Sequence, residues 1–314
     1  MPENDTDRSP VGASRRSGIL LVDKAAGFTS HDAVARTRRL AGTRKVGHAG
    51  TLDPMATGLL ILGLNSSTRL LTYLVGLDKE YFATIRLGAS TTTDDAEGEL
   101  IAAAAPEAVE AISTDQLHEQ LARLSGPIHQ VPSSVSAIKV DGKRAYTRVR
   151  EGESFTLPAR PVTIFAFELL KQRGEPGQLD LDVRVECSSG TYIRALARDL
   201  GAALGVGGHL VALRRTRIGP FEIADAAPLA DLDPAARLVD PAAVAAALFP
   251  TLTLDAGQVT DLMHGKKIEV GPREEADHAP VAALAPDGRL VGLVTVFGTT
   301  AKPLVNFPSD EVLT

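Results

Sequence analysis

The chain has 314 residues, 44% of them hydrophobic and 23% charged, with a formal net charge of −6 at pH 7, a balance that fits one large globular core or one large and one small domain. Its single cysteine, Cys187, excludes an intramolecular disulfide and a cysteine-based zinc site and suits a reducing cytoplasm. No apolar run reaches the roughly 18–20 residues that a bilayer span needs.

Residues 1–17 are polar, lack the apolar segment of a signal peptide and read as a disordered tail. Residues 18–23 form a short buried strand, and Ser30 caps a helix that runs to about Ala41 and stops at Gly42. The apolar run 59–64 is of strand length, and a helix is expected over 67–75. Residues 79–88 alternate Tyr81, Ala83, Ile85 and Leu87 on one side, the pattern of a half-buried strand. The Ala-rich, acidic stretch 102–111 predicts a surface loop or short helix, and 113–124 a capped helix. Residues 162–170 and 179–187 are alternating strands, 191–204 a helix and 209–218 extended chain.

These strands outnumber the helices and keep no regular βαβ rhythm, so the expected fold is α+β, built on a mixed, largely antiparallel sheet. Residues 220–250, rich in Ala, Pro and Asp, read as a connector carrying one or two helices. A short helix at 255–264 and several strands ending near Phe307 then suggest a small β-rich domain from about residue 250. The expected division is therefore 1–17, 18–249 and 250–314.

An acidic chain argues at first against a nucleic-acid partner, because phosphate binding draws on Lys and Arg. The charge is uneven, however. Residues 15–51 hold eight basic side chains (Arg15, Arg16, Lys24, Arg36, Arg38, Arg39, Arg44, Lys45) against Asp23 and Asp32, whereas 91–120 hold eight acids and no Lys or Arg. Further basic groups lie at Lys139, Lys143, Arg144, Arg148 and Arg150, and at Arg194, Arg198, Arg214, Arg215 and Arg217. A partner meets the local field, and these groups are either solvated faces or a basic track.

Residues 45–64, KVGHAGTLDPMATGLLILGL, carry the densest signal. Gly47 and Gly50 bracket His48, and Asp53 is followed by Pro54, so an acid stands on a constrained loop ahead of a buried strand. Asp-Pro alone is as readily a plain turn. The whole string, G-H-x-G-x-L-D-P-x-A-x-G-x-L, resembles the catalytic motif of the TruB family, the bacterial tRNA pseudouridine-55 synthases. Five other segments resemble that family's in order: 18–30 (GILLVDKAAGFTS), 79–88 (KEYFATIRLG), 131–152 (VPSSVSAIKVDGKRAYTRVREG), 186–201 (ECSSGTYIRALARDLG) and 209–217 (HLVALRRTR).

The resemblance implies the pseudouridine synthase fold and isomerisation of a uridine in the T-loop of tRNA, at position 55, after the base is flipped from its stack. It implies Asp53 as nucleophile toward either the uracil ring or the ribose anomeric carbon, Arg194 as the cation that holds it ionised, and Tyr81 as the aromatic that packs on the base and can accept the C5 proton. Tyr192 and Leu213 would line the pocket, and His48 would fill the space the uridine vacates. Lys24, Lys139, Arg144, Arg214 and Arg215 are candidate phosphate contacts along the T-arm, and Asp95 a candidate buttress. The C-terminal region resembles a PUA-type RNA-binding domain. No metal, organic cofactor or obligate protein partner is implied, and a cytoplasmic monomer is expected.

Two departures stand out. Lys24-Ala25-Ala26-Gly27 replaces the family's Lys-Pro-x-Gly, and Thr92 stands where T-D-T-x-D-x-x-G has its first acid. The competing readings are the same reaction on another RNA, a non-catalytic tRNA-folding factor, and a small-molecule hydrolase using Asp53. The last lacks a Gly-rich phosphate cradle.

Overall fold

The computed structural model describes residues 16–133, 139–140, 143–144, 157–271 and 279–308, with only the backbone described at 139–140 and 143–144. It divides into two compact units, one made of Met1–Pro54, Leu59–Val75 and Pro220–Thr314, the other of Met55–Gly58 and Gly76–Gly219. Most of the expected tail, residues 1–15, lies outside the described residues. Ser17 is fully buried, and its hydroxyl bonds the Leu64 carbonyl and the Ser66 and Ser67 hydroxyls, so order begins before Gly18.

In the first unit the strand Gly18–Lys24 runs parallel to Ala227–Pro228 and neighbours Thr57–Leu64, which Val46–Ala49 joins in antiparallel pairing. Helix Ser30–Ala41 begins one residue earlier than Ser30 implies. Thr29 is its cap, because Asp32 stands at the third helical position and completes a capping box that Ser30 cannot form. Gly42 ends the helix in the left-handed conformation, as expected. The helix expected over 67–75 is instead a 3-10 turn, Asn65–Leu70, followed by Leu71–Val75. Two hydroxyls there, Ser66 and Ser67, turn inward to Ser17 instead of outward from a regular helix.

The C-terminal part of this unit has its own five-stranded sheet, in the order Thr251–Thr253, Pro280–Leu284, Leu290–Phe297, Thr300–Asn306, Ile268–Glu269. Helix Ala256–Met263, capped by Asp255, packs Leu262 into a core with Leu254, Val281, Val294 and Ala301. The expected β-rich domain is therefore present.

The second unit is an antiparallel sheet in the order Gly208–Ile218, Lys79–Leu87, Gln178–Cys187, Arg160–Glu175, Gly126–Gln130. Helix Ile193–Ala203 buries Ile193, Ala195, Leu196, Ala197 and Leu200, and lies tight on the strand that follows it. A Cβ on Gly201 would meet the Gly207 and Gly208 backbone at 2.2 Å. Stretch 102–111 contains the end of an exposed strand, Leu100–Ala103, and the helix Pro106–Glu110. The mixed, largely antiparallel α+β architecture is as expected, and among the described residues no helix is long and apolar enough to cross a membrane.

Candidate functional site

The acid-bearing loop lies in the first unit and is clamped on both flanks. One hydroxyl, Ser30 Oγ, donates to the Leu52 carbonyl at 3.2 Å and accepts the Leu52 amide at 2.9 Å. On the other side of Asp53 the Pro54 carbonyl accepts the Gly27 amide at 2.9 Å and the Lys24 ammonium at 3.4 Å. Asp53 itself is half-buried between these anchors. Gly50 turns the loop with φ +81°, a conformation that L side chains avoid. His48, on the strand Val46–Ala49 opposite Leu62, meets His31 edge-on with ring centroids 5.8 Å apart.

Lys24 corrects an expectation. It is fully buried, and its ammonium donates to the Ala25, Phe28 and Pro54 carbonyls, so it offers no surface to a phosphate and instead ties two loops together. With Gly27 also bonded to Pro54, this turn is held without the family's usual proline.

The second unit holds the remaining candidates. Arg194, on helix Ile193–Ala203, reaches the Asp95 carboxylate at 3.5 Å and donates to the Thr93 carbonyl at 3.0 Å and the Ser133 hydroxyl at 3.3 Å. Asp95 in turn accepts the Thr93 hydroxyl at 2.5 Å and the Glu97 amide at 3.1 Å. At the first departure from the family's acidic motif, Thr92 Oγ1 accepts the Glu99 amide at 3.0 Å. Tyr192 precedes the helix, half-buried, with its backbone N–H and C=O both bonded to the Gln130 side chain.

Tyr81 and Leu213 are buried on one face of the sheet. Arg215, the register partner of Tyr81, shares that face with 1% exposure, whereas Arg214 is exposed on the other. Adjacent strand residues point to opposite faces, so the pair cannot grip one backbone together, and Arg215 is withdrawn as a phosphate contact. The basic group around these residues is largely spent internally. Arg198 pairs with Asp94 and Asp199, and Arg217 with Glu186. On the same outer face Arg184 gathers Glu80, Glu168 and Glu186. Burial pushes the Asp94 carboxyl above the usual range, against the pull of Arg198.

Of the central basic segment, Lys139 and Arg144 lie directly opposite each other in a short hairpin, Lys139–Val140 with Lys143–Arg144; Arg148 and Arg150 fall outside the described residues. Sequence reasoning gave no site role to Ser30, read only as a helix cap, or to Gln130 and Ser133, which hold Leu52, Tyr192 and Arg194. Each is a single polar letter, and its partner is 22, 62 or 61 positions away.

Comparison with known proteins supplies an independent view. Residues 38–193 match the family model described as TruB family pseudouridylate synthase (N terminal domain). Residues 194–253 match the tRNA pseudouridylate synthase B C-terminal domain, and 249–308 the C-terminal model of tRNA pseudouridine synthase II. The tRNA pseudouridine synthase B of Leifsonia xyli subsp. xyli is 62% identical over 94% of this chain and 98% of that protein. That of Arthrobacter sp. is 54% identical over 94% and 98%. A solved chain from a Cbf5–Nop10–Gar1 complex shares the fold, with TM-score 0.70 and 24% identity over 95% of this chain and 87% of that one.

Proposed function

The chain belongs to the TruB family of pseudouridylate synthases, and from that premise we propose that it isomerises uridine to pseudouridine in tRNA, acting at position 55 of the T-loop with Asp53 as nucleophile. The observation that carries the role of Asp53 is its clamped loop. A carboxylate fixed between Leu52, tied to Ser30, and Pro54, tied to Gly27 and Lys24, is preorganised for attack on an electrophilic carbon.

In this reading the uridine leaves its stack at a cost of a few kcal/mol, least where the base is already splayed in a loop. Asp53, held ionised by Arg194, attacks the uracil ring or the ribose anomeric carbon. The N1 to C1′ bond breaks, the detached base rotates, C5 bonds to C1′, and the bond to Asp53 breaks to return its carboxylate. Tyr81 stacks on the base, worth roughly 1–3 kcal/mol, and takes the C5 proton while N1 regains one. Asp95 fixes Arg194, Tyr192 and Leu213 line the base pocket, and His48 occupies the space left in the RNA. Arg214, Lys139 and Arg144 contact T-arm phosphates. The protein works as a cytoplasmic monomer on tRNA, without an obligate protein partner.

The test is release of tritium from C5-labelled uridine in a T-arm hairpin and in full-length tRNA, with Asp53→Asn beside the wild type. Release by wild type alone, with equal tRNA binding by both, is the expected result. Tight binding without release from either RNA overturns the reading in favour of a tRNA-folding factor.

A further inference from the structure

On the inner face of the second unit's sheet, three strands set their side chains in a square lattice around Tyr81. Its register partners are Val185 on one side and Arg215 on the other. The row toward one end is Val183, Ala83 and Leu213, and the row toward the other is Cys187, Lys79 and Ile218. All nine positions are buried. Six of the eight neighbours of Tyr81 are apolar or a thiol; the other two, Lys79 and Arg215, are cations.

Burying a cation among apolar neighbours is costly, and placing two together is more so. The strain registers on Lys79, whose ammonium is driven down to about 8 by its burial first and by the Arg215 charge second, against the opposing pull of Cys187 and Asp78. An apolar pair at these two positions would have packed the sheet without that penalty. What the cations share is a lattice position next to Tyr81, Arg215 as its direct register partner and Lys79 two residues along its strand, with the Lys79 ammonium donating to the Leu77 carbonyl. Directly paired residues hold their Cβ atoms about 4.5–5.5 Å apart, and residues two apart on one strand about 7 Å. Those spacings are between backbone positions; between buried side chains set on them, with little water between, positive charge favours the ionised form of an acid.

We propose that Arg215 and Lys79 are positioning residues for Tyr81, their joint field stabilising its phenolate so that the phenolate oxygen can take the C5 hydrogen as a proton. The inference deepens the function proposed above and rests on its placing Tyr81 at the base. Once C5 is bonded to C1′, the electron pair of the C5–H bond stays with the ring, the proton forms a new O–H bond on Tyr81, and no oxidant or co-reactant is required. The proton then passes to solvent, which returns Tyr81 to the phenolate.

The chain has four tyrosines and no tryptophan, so phenolate absorbance reads the tyrosines cleanly, and subtracting the Tyr81→Phe titration isolates Tyr81 without any RNA. Tyr81 is expected to titrate below the ordinary tyrosine value of about 10, in the range where Lys79 still carries its charge. Arg215→Met and Lys79→Met should each move that titration up by about one pH unit, and Arg215→Lys should restore most of the shift. In single-turnover tritium release the two Met variants should lose ten- to a hundredfold in rate with tRNA affinity unchanged, and the rise of rate with pH should move upward with the titration. A Tyr81 titration that stays put in both Met variants overturns the proposal, and Lys79→Met keeps it testable should Arg215→Met fail to fold. A titration that moves while the release rate does not overturns the catalytic role. Absence of release from the wild type would instead sink the function proposed above, and the titration would still report on the field.

Discussion

The Arg194 guanidinium and the Asp95 carboxylate meet at 3.5 Å with only 5% of either side chain exposed. Removing one partner of a buried ion pair leaves the other charge stranded, at a cost of about 3–5 kcal/mol. Asp95→Asn should therefore lower the thermal midpoint by many degrees and, by loosening Arg194, slow tritium release at least tenfold. An unchanged melting curve would show that the hydrogen bonds from Arg194 to Thr93 and Ser133 carry the guanidinium by themselves.

Arg214 and Arg215 should separate in two assays. Loss of one phosphate contact reduces the salt dependence of RNA binding by about one ion. Arg214→Ala is expected to show that change in tRNA titrations across a salt series, with a normal melt. Arg215→Ala should show the reverse, a depressed melt and an unaltered salt slope.

Lys79 makes stability depend on pH. Its ammonium is held near 8 in the folded chain, against an ordinary value of 10.5, so between those limits the unfolded chain binds more protons and stability rises with pH. The charge is thus a full burden below about pH 8 and none above about 10.5. Lys79→Met should be more stable than wild type at pH 7, by about 1–2 kcal/mol after allowing for residual solvent screening. Denaturant melts should show that gain shrinking steadily from pH 8 to 10.5. A gain that is constant over this range would contradict the assignment.

Gly58 should tolerate no side chain. Its φ is +105°, and a Cβ would lie 2.2 Å from the Arg215 carbonyl oxygen and 2.7 Å from its amide nitrogen. Neither atom is a flexible chain end, so Gly58→Ala must break the parallel pairing of Thr57 and Gly58 with Arg214 and Arg215. A loss of about 3 kcal/mol or more is expected, visible as reduced soluble yield and an early melt. A normal melt would mean that the two strands can part locally at no cost.

Much of the scaffold could be read from periodicity. The alternation of Tyr81, Ala83, Ile85 and Leu87 is the inner face of a real strand, Ser113 caps its helix as expected, and the short helix expected over 255–264 is present as Ala256–Met263. The strand Gly126–Gln130 escaped notice because it opens Gly-Pro and lies at the sheet's edge, and Leu100–Ala103 because all four of its residues are exposed and show no alternation. Among site residues the motif letters located the acid loop and the Arg194 helix, but letters cannot say which way a cation faces. In the sequence Lys24 and Arg215 are candidate phosphate contacts, and only register and burial show them turned inward.

The contacts around Tyr81 also impose an order on folding. Its strand pairs with one that arrives far later, the Thr216 hydroxyl reaching Glu80 across 136 positions of sequence. At about 5–20 residues per second of synthesis, the first strand waits roughly 7–27 s for the second to leave the ribosome. Such long-range pairings form slowly even in a complete chain. A nascent or truncated chain ending before Gly208 therefore lacks Arg215 and has no partner for that edge of the strand Lys79–Leu87, so the inner lattice closes only after most of the protein has been made.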